Sequence, residues 1–558
     1  MTSFKLKYLD IFIFMLGAVL FTYASGYGMP IVVHPDEVTQ LKNIYGMLQY
    51  KTLIIPYETS YSAWIHYFYL IPTILYWLFE YIFNTNLSSL SDLKLYVMNN
   101  YHNVIPFLRV YSAIIFLISL FYLKIVIENS VNRVQSYIFL IIAILSPWIV
   151  INGHNIKHWI PDFSLVFFSF YFYYRYQLIK KAKFILISFI LFSIAVMTTY
   201  TLIFLGVYFI LLHYRYNPYN HKLFFRDVLY LIITLALFIL ISLQIGQGGN
   251  ITTVASGHYL DLNMKMEFIK YYLYNQIEFD PFLFSSFLLS IMLFIFHDYK
   301  KNYFKLFIVL IPYVLNMIVM SSHNVFGNYY TVFFVIDSLL LASFFLYFLY
   351  EKYKKLFIAI FSIYIIFNSF NIIKWLNIID EKDTRLLAKE WIENNHEKEK
   401  KDFILYSTLG FNYLPLTKEG ILVIKSSLPK SLTTREKLYL KYALNEEVDG
   451  FILWKIEQGL YSPKELIEVL FKKGYNPVIV HERFGNTVHH HQRTESYIEK
   501  MRKDYNITLI KEITPYIKEP DNREKIGDIL LDFRNFHYSL KYMQRSGPVI
   551  KIYQVNKP

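Results

Sequence analysis

Two adjacent carboxylates, Asp36 and Glu37, follow the first apolar segment of the chain and could do acid–base chemistry at a membrane surface. His34 and Pro35 precede them in the stretch HPDE, so three titratable side chains surround one proline. A carboxylate within reach of a hydroxyl group can remove its proton and make the oxygen a nucleophile. The same residues could instead cap the helix expected from DEVTQLKNIYGML, and the spacing alone leaves both interpretations open.

A second polar group lies in the stretch NGHNIKHWIPD at 152–162. Asp162 stands at the start of an apolar run, and Lys157 and His158 precede it by a few residues. A carboxylate beside cations at a membrane surface suits an acid–base reaction on a lipid phosphate ester. The alternative is that Asp162 caps the helix that follows Pro161.

The composition indicates the scaffold that must hold these residues. Of 558 residues, 55% are hydrophobic and 19% are aromatic, which is typical of a polytopic membrane protein. The net charge of +13 does not indicate a nucleic-acid-binding protein, because the basic residues form short clusters between apolar runs, as in cytoplasmic loops. Since the sequence has no cysteine, disulfides and thiolate metal sites are excluded.

Apolar runs predict the membrane-spanning helices, because a helix crosses about 30 Å of hydrocarbon in about 20 residues. The first run follows Lys5 and Lys7 and is long for a signal peptide, so we interpret it as a retained helix. The run at 184–214 is long enough for one very long helix or for two short ones. The runs fall at 8–28, 62–83, 107–127, 135–151, 160–178, 184–214, 227–245, 282–297, 304–321, 329–350 and 355–376.

Basic clusters between the runs predict the direction of each crossing, because positively charged loops remain in the cytoplasm. The clusters at 175–183 and 215–226 share a side only if 184–214 crosses twice. An even number of earlier crossings requires that 62–83 lie in the membrane interface, with its Trp and Tyr residues at headgroup level. The sequence thus predicts about eleven transmembrane helices in a multi-pass protein of the cell (inner) membrane, with the N-terminus inside and the C-terminus outside the cytoplasm.

This topology places three distant loops, at 31–40, 152–162 and 321–330, on the extracytoplasmic side. If 62–83 crossed the membrane, Asp36 and Asp162 would lie on opposite sides. We therefore expect both acidic groups to meet the late loop SSHNVFGNYY at one site outside the cytoplasm.

From residue 380 the chain has frequent charges and short apolar runs, which predict a soluble α/β domain at 380–558 outside the cytoplasm. The remaining domain, 1–379, carries a long first extracytoplasmic loop at 29–106. Asp383 is the predicted cap of the helix DTRLLAKEWIENN, while DFILYS, NPVIV and GPVIKIYQV predict strands and SPKELIEVLFKK a helix. The three histidines at 489–491 could bind a metal, but without ligand spacing a solvated loop is favoured.

The stretch HPDEVTQ after the first span resembles the first-loop acidic motif of GT-C glycosyltransferases, which are polytopic enzymes that use polyprenyl-phosphate sugars. The rest of the chain is similar to bacterial and archaeal relatives of protein O-mannosyltransferases and of lipid A aminoarabinose transferase. Such chains commonly carry a soluble tail that begins Asp-Thr-Arg and ends Gly-Pro…Ile-Tyr. This chain has DTRLLAKEWIE at 383–393 and GPVIKIYQV at 547–555, so the resemblance covers essentially its whole length.

The resemblance implies roles for the acidic and basic loop residues. Asp36 matches the catalytic carboxylate, the general base that deprotonates the acceptor hydroxyl. Glu37 would orient the acceptor or substitute in part, and Asp162 would be the second acidic residue of the site. Lys157 and His158 would hold the donor phosphate.

Other predicted substrate-binding residues follow from looser matches to the same enzymes. Glu58 matches an acidic residue of their interfacial-helix region. The late span departs from the pattern, because GNYYTVFF lacks an Arg before its Tyr and a Pro after it. The polar residues left for substrate binding are His34 in the first loop and His323, Asn328 and Tyr330 in the late loop.

The resemblance implies a mostly α polytopic membrane protein of GT-C type that moves a sugar from a polyprenyl-phosphate donor to an acceptor hydroxyl with inversion. No cofactor is expected; a divalent metal is possible but not favoured, since the first motif has no Asp-x-Asp pair. The acceptor could be a lipid, a glycan or a protein, and no nucleic acid is expected as a partner. The alternatives are a lipid-linked glycan transporter or flippase, favoured by the midspan Asp337, and a polysaccharide polymerase or ligase.

Overall fold

The computed structural model divides the chain into two compact units, one at 1–25, 36–74 and 105–374, the other at 26–35, 75–104 and 375–558. All structural statements concern the residues that the structure describes. These are 8–29, 35–55, 63–85, 87–242, 244–245, 265–296, 303–322, 332–396, 402–406, 452–455, 463–472, 474–483, 498–526 and 535–557.

Helices make up most of the described chain, which confirms the predicted mostly α architecture. The N-terminal half contains α1 (Tyr8–Thr22), α2 (Pro35–Tyr50), α3 (Ala63–Phe83), α4 (Leu90–Asn99), α5 (Val104–Ser130), α6 (Arg133–Ile144), α7 (Pro147–Gly153), α8 (Trp159–Ile179) and α9 (Ala182–Thr198). A 3-10 segment (Tyr200–Gly206) then leads to α10 (Val207–Tyr216), α11 (His221–Ser242), α12 (Met266–Phe279), α13 (Pro281–Phe296), α14 (Tyr303–Ser321), α15 (Val332–Lys352) and α16 (Lys354–Asp380).

Four described helical segments are long and apolar enough to cross a membrane, judged by length and composition. Two bent pairs, α6 with α7 at 58° and α12 with α13 at 116°, bring the number to six if each pair is one span. Shorter apolar helices, among them α1 and α9, add further candidates. The count of about eleven spans stays a prediction.

The apolar run at 184–214 is broken in the middle, as two short crossings would require. Helix α9 ends at Thr198, and Thr199 adopts an extended backbone with φ −138° and ψ 96°. The β-branched pair Thr198-Thr199 lowers helix propensity at this point, because a branched side chain loses rotamer freedom against the preceding turn. The chain resumes as the 3-10 segment and α10.

Helix α3 covers the segment predicted to lie in the interface, and it is not among the candidate spans of the described chain. Its second half packs on α4, where the Trp77 ring meets Tyr96 edge to face at 6.1 Å. The Tyr96 hydroxyl donates to the Glu80 carboxylate at 3.4 Å. The interfacial position of this helix stays a prediction.

The C-terminal region contains a five-stranded sheet of order β2-β1-β3-β5-β4, which confirms the predicted α/β character. Strands β1, β2 and β3 run parallel, whereas β5 is antiparallel to both β3 and β4. Alternate residues of β1 and β3 face two different apolar layers, so both faces of the sheet are covered. The elements are α17 (Thr384–Asn395), β1 (Asp402–Tyr406), β2 (Ile452–Lys455), α18 (Pro463–Lys472), β3 (Asn476–Arg483), β4 (Asn506–Ile513), α19 (Phe536–Tyr542) and β5 (Val549–Asn556).

The two tail motifs, DTR and GP, touch each other in the fold. Asp383 caps α17, as predicted, and its Oδ2 accepts a hydrogen bond from Ser546 Oγ at 2.8 Å. Thr384 Oγ1 donates to the carbonyl oxygen of Pro548 at 2.7 Å. Gly547 between them has φ +104°, and a Cβ there would lie 2.1 Å from Thr384 Oγ1, so only glycine fits. The motifs therefore join the start of α17 to the start of β5.

Burial of the Asp383 carboxyl would raise its pKa, but the neighbouring Arg385 guanidinium outweighs burial and holds the pKa below its usual range. Arg385 donates to both carboxylate oxygens, at 2.8 Å from Nε and 2.9 Å from Nη2. The cap is thus also a buried ion pair formed within one helix turn.

Candidate active site

Glu37, in the first turn of α2, forms a buried two-pronged ion pair with Arg109 of α5. Arg109 Nε donates to Glu37 Oε1 at 2.8 Å, and Nη2 donates to Oε2 at 2.7 Å. Both side chains are almost wholly buried, at 1% and 0% exposure. Burying two charges costs free energy, which is offset when further hydrogen bonds satisfy the remaining polar atoms of the pair. The other hydrogen bonds of Glu37 and Arg109 therefore show which segments the pair joins.

The ion pair is tied to two further segments of backbone. Glu37 Oε1 also accepts the Ile156 N–H at 3.1 Å, and Arg109 Nη1 donates to the Ser25 carbonyl oxygen at 2.7 Å. The start of α2 is therefore fixed to α5, to the end of the first helical segment and to the loop between α7 and α8. This confirms the expected meeting of the 31–40 and 152–162 stretches.

Local sequence explains why α2 begins here. Pro35 occupies its first position, where the missing N–H costs nothing, and acidic residues in the first turn complement the helix dipole. Glu37, Gln40 and Ile44 lie on one buried side of the helix, at successive turns. That side carries the polar groups toward the interior of the unit.

His154 lies in the same loop and is fully buried. Burial lowers the pKa of His154 to about 4 against two opposing backbone contacts. Its ring nitrogens lie 2.8 Å from the Val150 carbonyl oxygen and 2.9 Å from that of Tyr23.

The predicted phosphate-binding residues lie in the loop that leads into α8. Lys157 is buried, and its Nζ stands 4.4 Å from the centre of the Trp159 ring. The His158 ring meets the same indole at 5.2 Å. An ammonium over an indole face is attracted electrostatically by the ring quadrupole.

Asp162 lies in the first turn of α8 and is buried. Its Oδ2 accepts a hydrogen bond from Thr199 Oγ1 at 2.6 Å. Its Oδ1 has no hydrogen-bond partner among the described residues, because the nearby Thr198 hydroxyl donates to the Ile194 carbonyl. One carboxylate oxygen is therefore ready to accept a hydrogen bond from a ligand hydroxyl.

Tyr69 of α3 lies beside α5 and the loop that leads into α8. Burial raises the pKa of Tyr69, and the negative charges of Asp162 and Glu37 raise it further, so its hydroxyl lies within electrostatic reach of both carboxylates. The hydroxyl lies 3.2 Å from Ser112 Oγ and 3.4 Å from the Lys157 carbonyl oxygen. Tyr69 thus joins α3 to α5 and to the backbone of Lys157.

Sequence reasoning missed both Arg109 and Tyr69. An arginine just inside the apolar run at 107–127 was a usable signal, because a cation at the edge of a membrane span needs a partner. Tyr69 carried no such signal, since the apolar segment at 62–83 contains several similar aromatic residues.

The remaining predicted site residues are only partly covered by the structure. Asp36 is the second residue of α2, where its backbone is described and its side chain is not. Of the late loop, the structure describes Ser321 and Ser322, and the Ser321 carbonyl accepts the Lys265 N–H at 3.1 Å. The predicted residues His34, Glu58, His323, Asn328 and Tyr330 lie outside the described residues.

In the described part of the chain, no three His, Asp or Glu side chains converge in a way that could hold a metal ion. The histidines at 489–491 lie outside that part.

No family model matches the sequence, and no curated protein matches it. Among solved structures, the chain is similar to ArnT from Cupriavidus metallidurans bound to undecaprenyl phosphate, with 11% identity, a TM-score of 0.47, and coverage of 90% of this chain and 96% of that one. The apo state of the same protein gives 9% identity and a TM-score of 0.43. ArnT is the GT-C lipid A aminoarabinose transferase.

A third similar structure is the Archaeoglobus fulgidus oligosaccharyltransferase in complex with Zn and sulfate. It shares 12% identity with the chain at a TM-score of 0.41, over 72% of this chain and 60% of that one. These proteins are what the chain is similar to, and its own activity rests on its own residues.

Proposed function

We propose that this chain is a GT-C-type membrane glycosyltransferase, which moves a sugar from a polyprenyl-phosphate donor to an acceptor hydroxyl on the extracytoplasmic face. The observation that carries the proposal is the hydrogen bond of Glu37 to Ile156, made from within the buried pair with Arg109. It brings the helix that bears Asp36 to the loop that bears Lys157 and leads to Asp162. This contact supports a single site formed by two acidic segments that are far apart in sequence.

Asp36 is the general base in this proposal. Both oxygens of Glu37 accept from Arg109, and Oε1 also accepts the Ile156 N–H, so Glu37 suits a positioning role better than proton transfer. With Glu37 fixed, the neighbouring backbone of Asp36 is fixed as well. A base must lie within about 2.6–3.2 Å of the proton it abstracts, and rigid attachment of its backbone favours that geometry.

The reaction is a single displacement at the anomeric carbon. The acceptor oxygen forms a bond to this carbon from the side opposite the phosphate, while the carbon–oxygen bond to the phosphate breaks. The bonding pair leaves on the phosphate oxygen, the hydroxyl proton goes to Asp36, and the configuration inverts.

Polyprenyl phosphate is a leaving group that already carries negative charge, so it needs charge neutralisation more than protonation. Lys157, with its ammonium on the Trp159 face, supplies that charge in the proposal, together with His158. Asp162 accepts a hydroxyl of the acceptor or of the donor sugar through Oδ1. A site at headgroup level lets the lipid tail stay in the bilayer while the sugar reaches these loops.

A transfer assay on the purified full-length chain in lipid nanodiscs tests the proposal. The probe is a set of synthetic polyprenyl-phosphate sugars, and the readout is release of polyprenyl phosphate, which a transporter or flippase would not cause. Asp36→Asn should lower kcat by about 10²–10⁴-fold, because it keeps the shape and removes the basicity. We expect transfer to continue in EDTA, since the reaction as written uses no divalent metal.

Asp92→Asn is the matched control, because Asp92 also lies in the first turn of a helix, and its Oδ2 accepts the Ser88 N–H at 3.2 Å. We expect the control to keep wild-type turnover. If Asp36 were only a helix cap, Asp36→Asn would behave like Asp92→Asn, since Asn caps about as well as Asp. Turnover of Asp36→Asn within a few-fold of wild type would therefore end the general-base assignment.

A further inference from the structure

The 3-10 segment Tyr200–Gly206 is unusual in its length. It runs for seven residues between α9 and α10. Most 3-10 stretches end after three or four residues, because their hydrogen-bond geometry is poorer than that of an α-helix, and a longer one inside a helical run marks a hinge or a strained sequence. Such a segment keeps its shape only when its surroundings hold it.

Two buried carboxyl groups hold the two ends of this segment. Thr199, just before it, donates from Oγ1 to Asp162 Oδ2 at 2.6 Å. Tyr208, just after it, donates from its hydroxyl to Asp337 Oδ1 at 2.5 Å. At a rise of about 2.0 Å per residue, the seven-residue segment between the two anchors is about 14 Å long.

Asp337 is built into the helices around the segment. It lies on α15 with 0% exposure, and its Oδ2 has no hydrogen-bond partner among the described residues, so its known bond is the one to Tyr208. One turn earlier, Phe334 packs on the Tyr313 ring of α14 at 5.3 Å. Helix α14 packs in turn on α10 and on the 3-10 segment itself. The Asp337 anchor is therefore fixed to the same helices that surround the segment.

We propose that Asp337 is a positioning residue for Asp162 and acts through Tyr208 and the 3-10 segment. With Tyr208 anchored, the segment cannot unwind or slide, and Thr199 at its other end keeps Asp162 in one orientation. This inference rests on the proposed function, since it assigns Asp162 a substrate to meet. It also gives the midspan carboxyl a role that requires no transported ion.

The first test compares Tyr208→Phe with Tyr173→Phe in the transfer assay. Tyr173 is a matched control, because it also donates a buried hydroxyl to a carboxylate, that of Asp227 at 3.0 Å, but far along α8 from Asp162. Tyr208→Phe should lower kcat by about 10-fold or more with donor KM changed less than about two-fold, since small displacements of site residues are costly. Tyr173→Phe should keep kcat within about three-fold of wild type. Equal losses in the two variants would overturn the proposal.

A second test separates the acceptor role of Asp337 from its charge. Asp337→Asn keeps a carbonyl oxygen for the Tyr208 hydroxyl, whereas Asp337→Leu removes it. We expect Asp337→Asn to keep kcat within about three-fold of wild type and Asp337→Leu to match Tyr208→Phe. An Asp337→Asn variant as inactive as Asp337→Leu would contradict positioning and favour a role for the charge itself.

Hydrogen–deuterium exchange tests, without an activity measurement, whether Tyr208 holds the 3-10 segment in place. Tyr208→Phe should raise exchange in peptides that cover 199–207 and the first turn of α8, whereas Tyr173→Phe should leave these peptides unchanged. If the wild-type chain transfers no sugar, the proposed function fails while the exchange result still decides whether Tyr208 holds the segment. If transfer occurs but exchange at 199–207 is the same in all variants, the positioning inference alone fails.

Discussion

Two buried arginine–carboxylate pairs, Glu37–Arg109 and Asp383–Arg385, are nearly identical in geometry and differ in what they connect. Each arginine binds both carboxylate oxygens, with donor–acceptor distances of 2.7–2.9 Å. Glu37 and Arg109 are 72 residues apart in sequence, whereas Asp383 and Arg385 are 2 apart. The first pair depends on the whole helical unit, and the second forms within one turn.

The two pairs differ in their neighbours, and Glu37–Arg109 is the one that lies beside residues of the proposed site. Glu37 binds the Ile156 N–H, one residue before Lys157, and lies one residue after Asp36. Asp383 accepts the Ser546 hydroxyl and caps a helix, and its carboxylate otherwise binds Arg385. Burial and pairing of charge are therefore equal in the two places and indicate no function by themselves. The residues that neighbour each pair differ, and they are the basis for assigning a function to one pair and a structural role to the other.

Arg109→Met should give the largest effect, because it leaves the Glu37 carboxylate buried without its cation. Loss of one partner of a buried pair typically costs about 3–5 kcal/mol of unfolding free energy. Transfer activity should be lost as well, since the start of α2 loses its anchor. Thermal unfolding in detergent and the transfer assay measure the two consequences.

The double variant Glu37→Leu with Arg109→Met serves as the control for this change. It removes both charges, so much of the stability should return, as replacement of buried pairs by apolar residues often shows. Activity should stay low, because Ile156 no longer binds α2. If the double variant regained full turnover, the pair would be a fold element like Asp383–Arg385 and the contrast between the two would disappear.

Asp383→Asn should have an intermediate effect that is confined to stability. Asn keeps the cap but loses the charge that Arg385 binds, at a cost of about 1.5–3 kcal/mol for a charged hydrogen bond. Because the folded pKa of Asp383 lies below its unfolded value, its stabilisation is present above about pH 4 and is lost as pH falls through the folded pKa. The variant should therefore show a flatter fall of Tm below about pH 5 than the wild type. Transfer activity of the folded variant should be unchanged, and a large loss of kcat would link the tail to the site.

Ser546→Ala should give the smallest effect. It removes one neutral donor from Asp383 Oδ2 while Arg385 still binds that oxygen, so the cost should be about 1 kcal/mol. Chemical denaturation followed by tryptophan fluorescence measures it. A cost as large as that of Asp383→Asn would mean that the long-range contact, rather than the local pair, stabilises the cap.

The sequence was sufficient for features that depend on local pattern. Strands β1, β3 and β5, helix α18 and the Asp383 cap follow from periodicity and cap chemistry, and the structure confirms them. The meeting of 31–40 with 152–162 followed from counting charged loops, and the Glu37–Ile156 hydrogen bond confirms it.

The features that the sequence analysis missed are contacts between residues that only tertiary packing brings together. In the sequence, Arg109 is a single charge in an apolar helix, and nothing nearby identifies Glu37 as its partner. Asp337 was visible as a midspan acid, but its partner Tyr208 lies 129 residues away and is one of 51 tyrosines. Periodicity tells which side of a helix is buried and does not tell which hydroxyl meets which carboxyl.

The place of β5 in the tail sheet has a consequence for biosynthesis. It is the last of the five strands in sequence, yet it lies between β3 and β4 and is the pairing partner of both. While the chain is still being made, β4 lacks its partner β5, and the start of α17 lacks its contacts to Ser546 and Pro548. Folding of the tail sheet is therefore complete only after residues 546–556 have been synthesised. Until then its earlier strands are exposed to chaperones and proteases. A chain cut short before them would present an unfinished sheet to cellular quality control, however well its membrane helices had inserted.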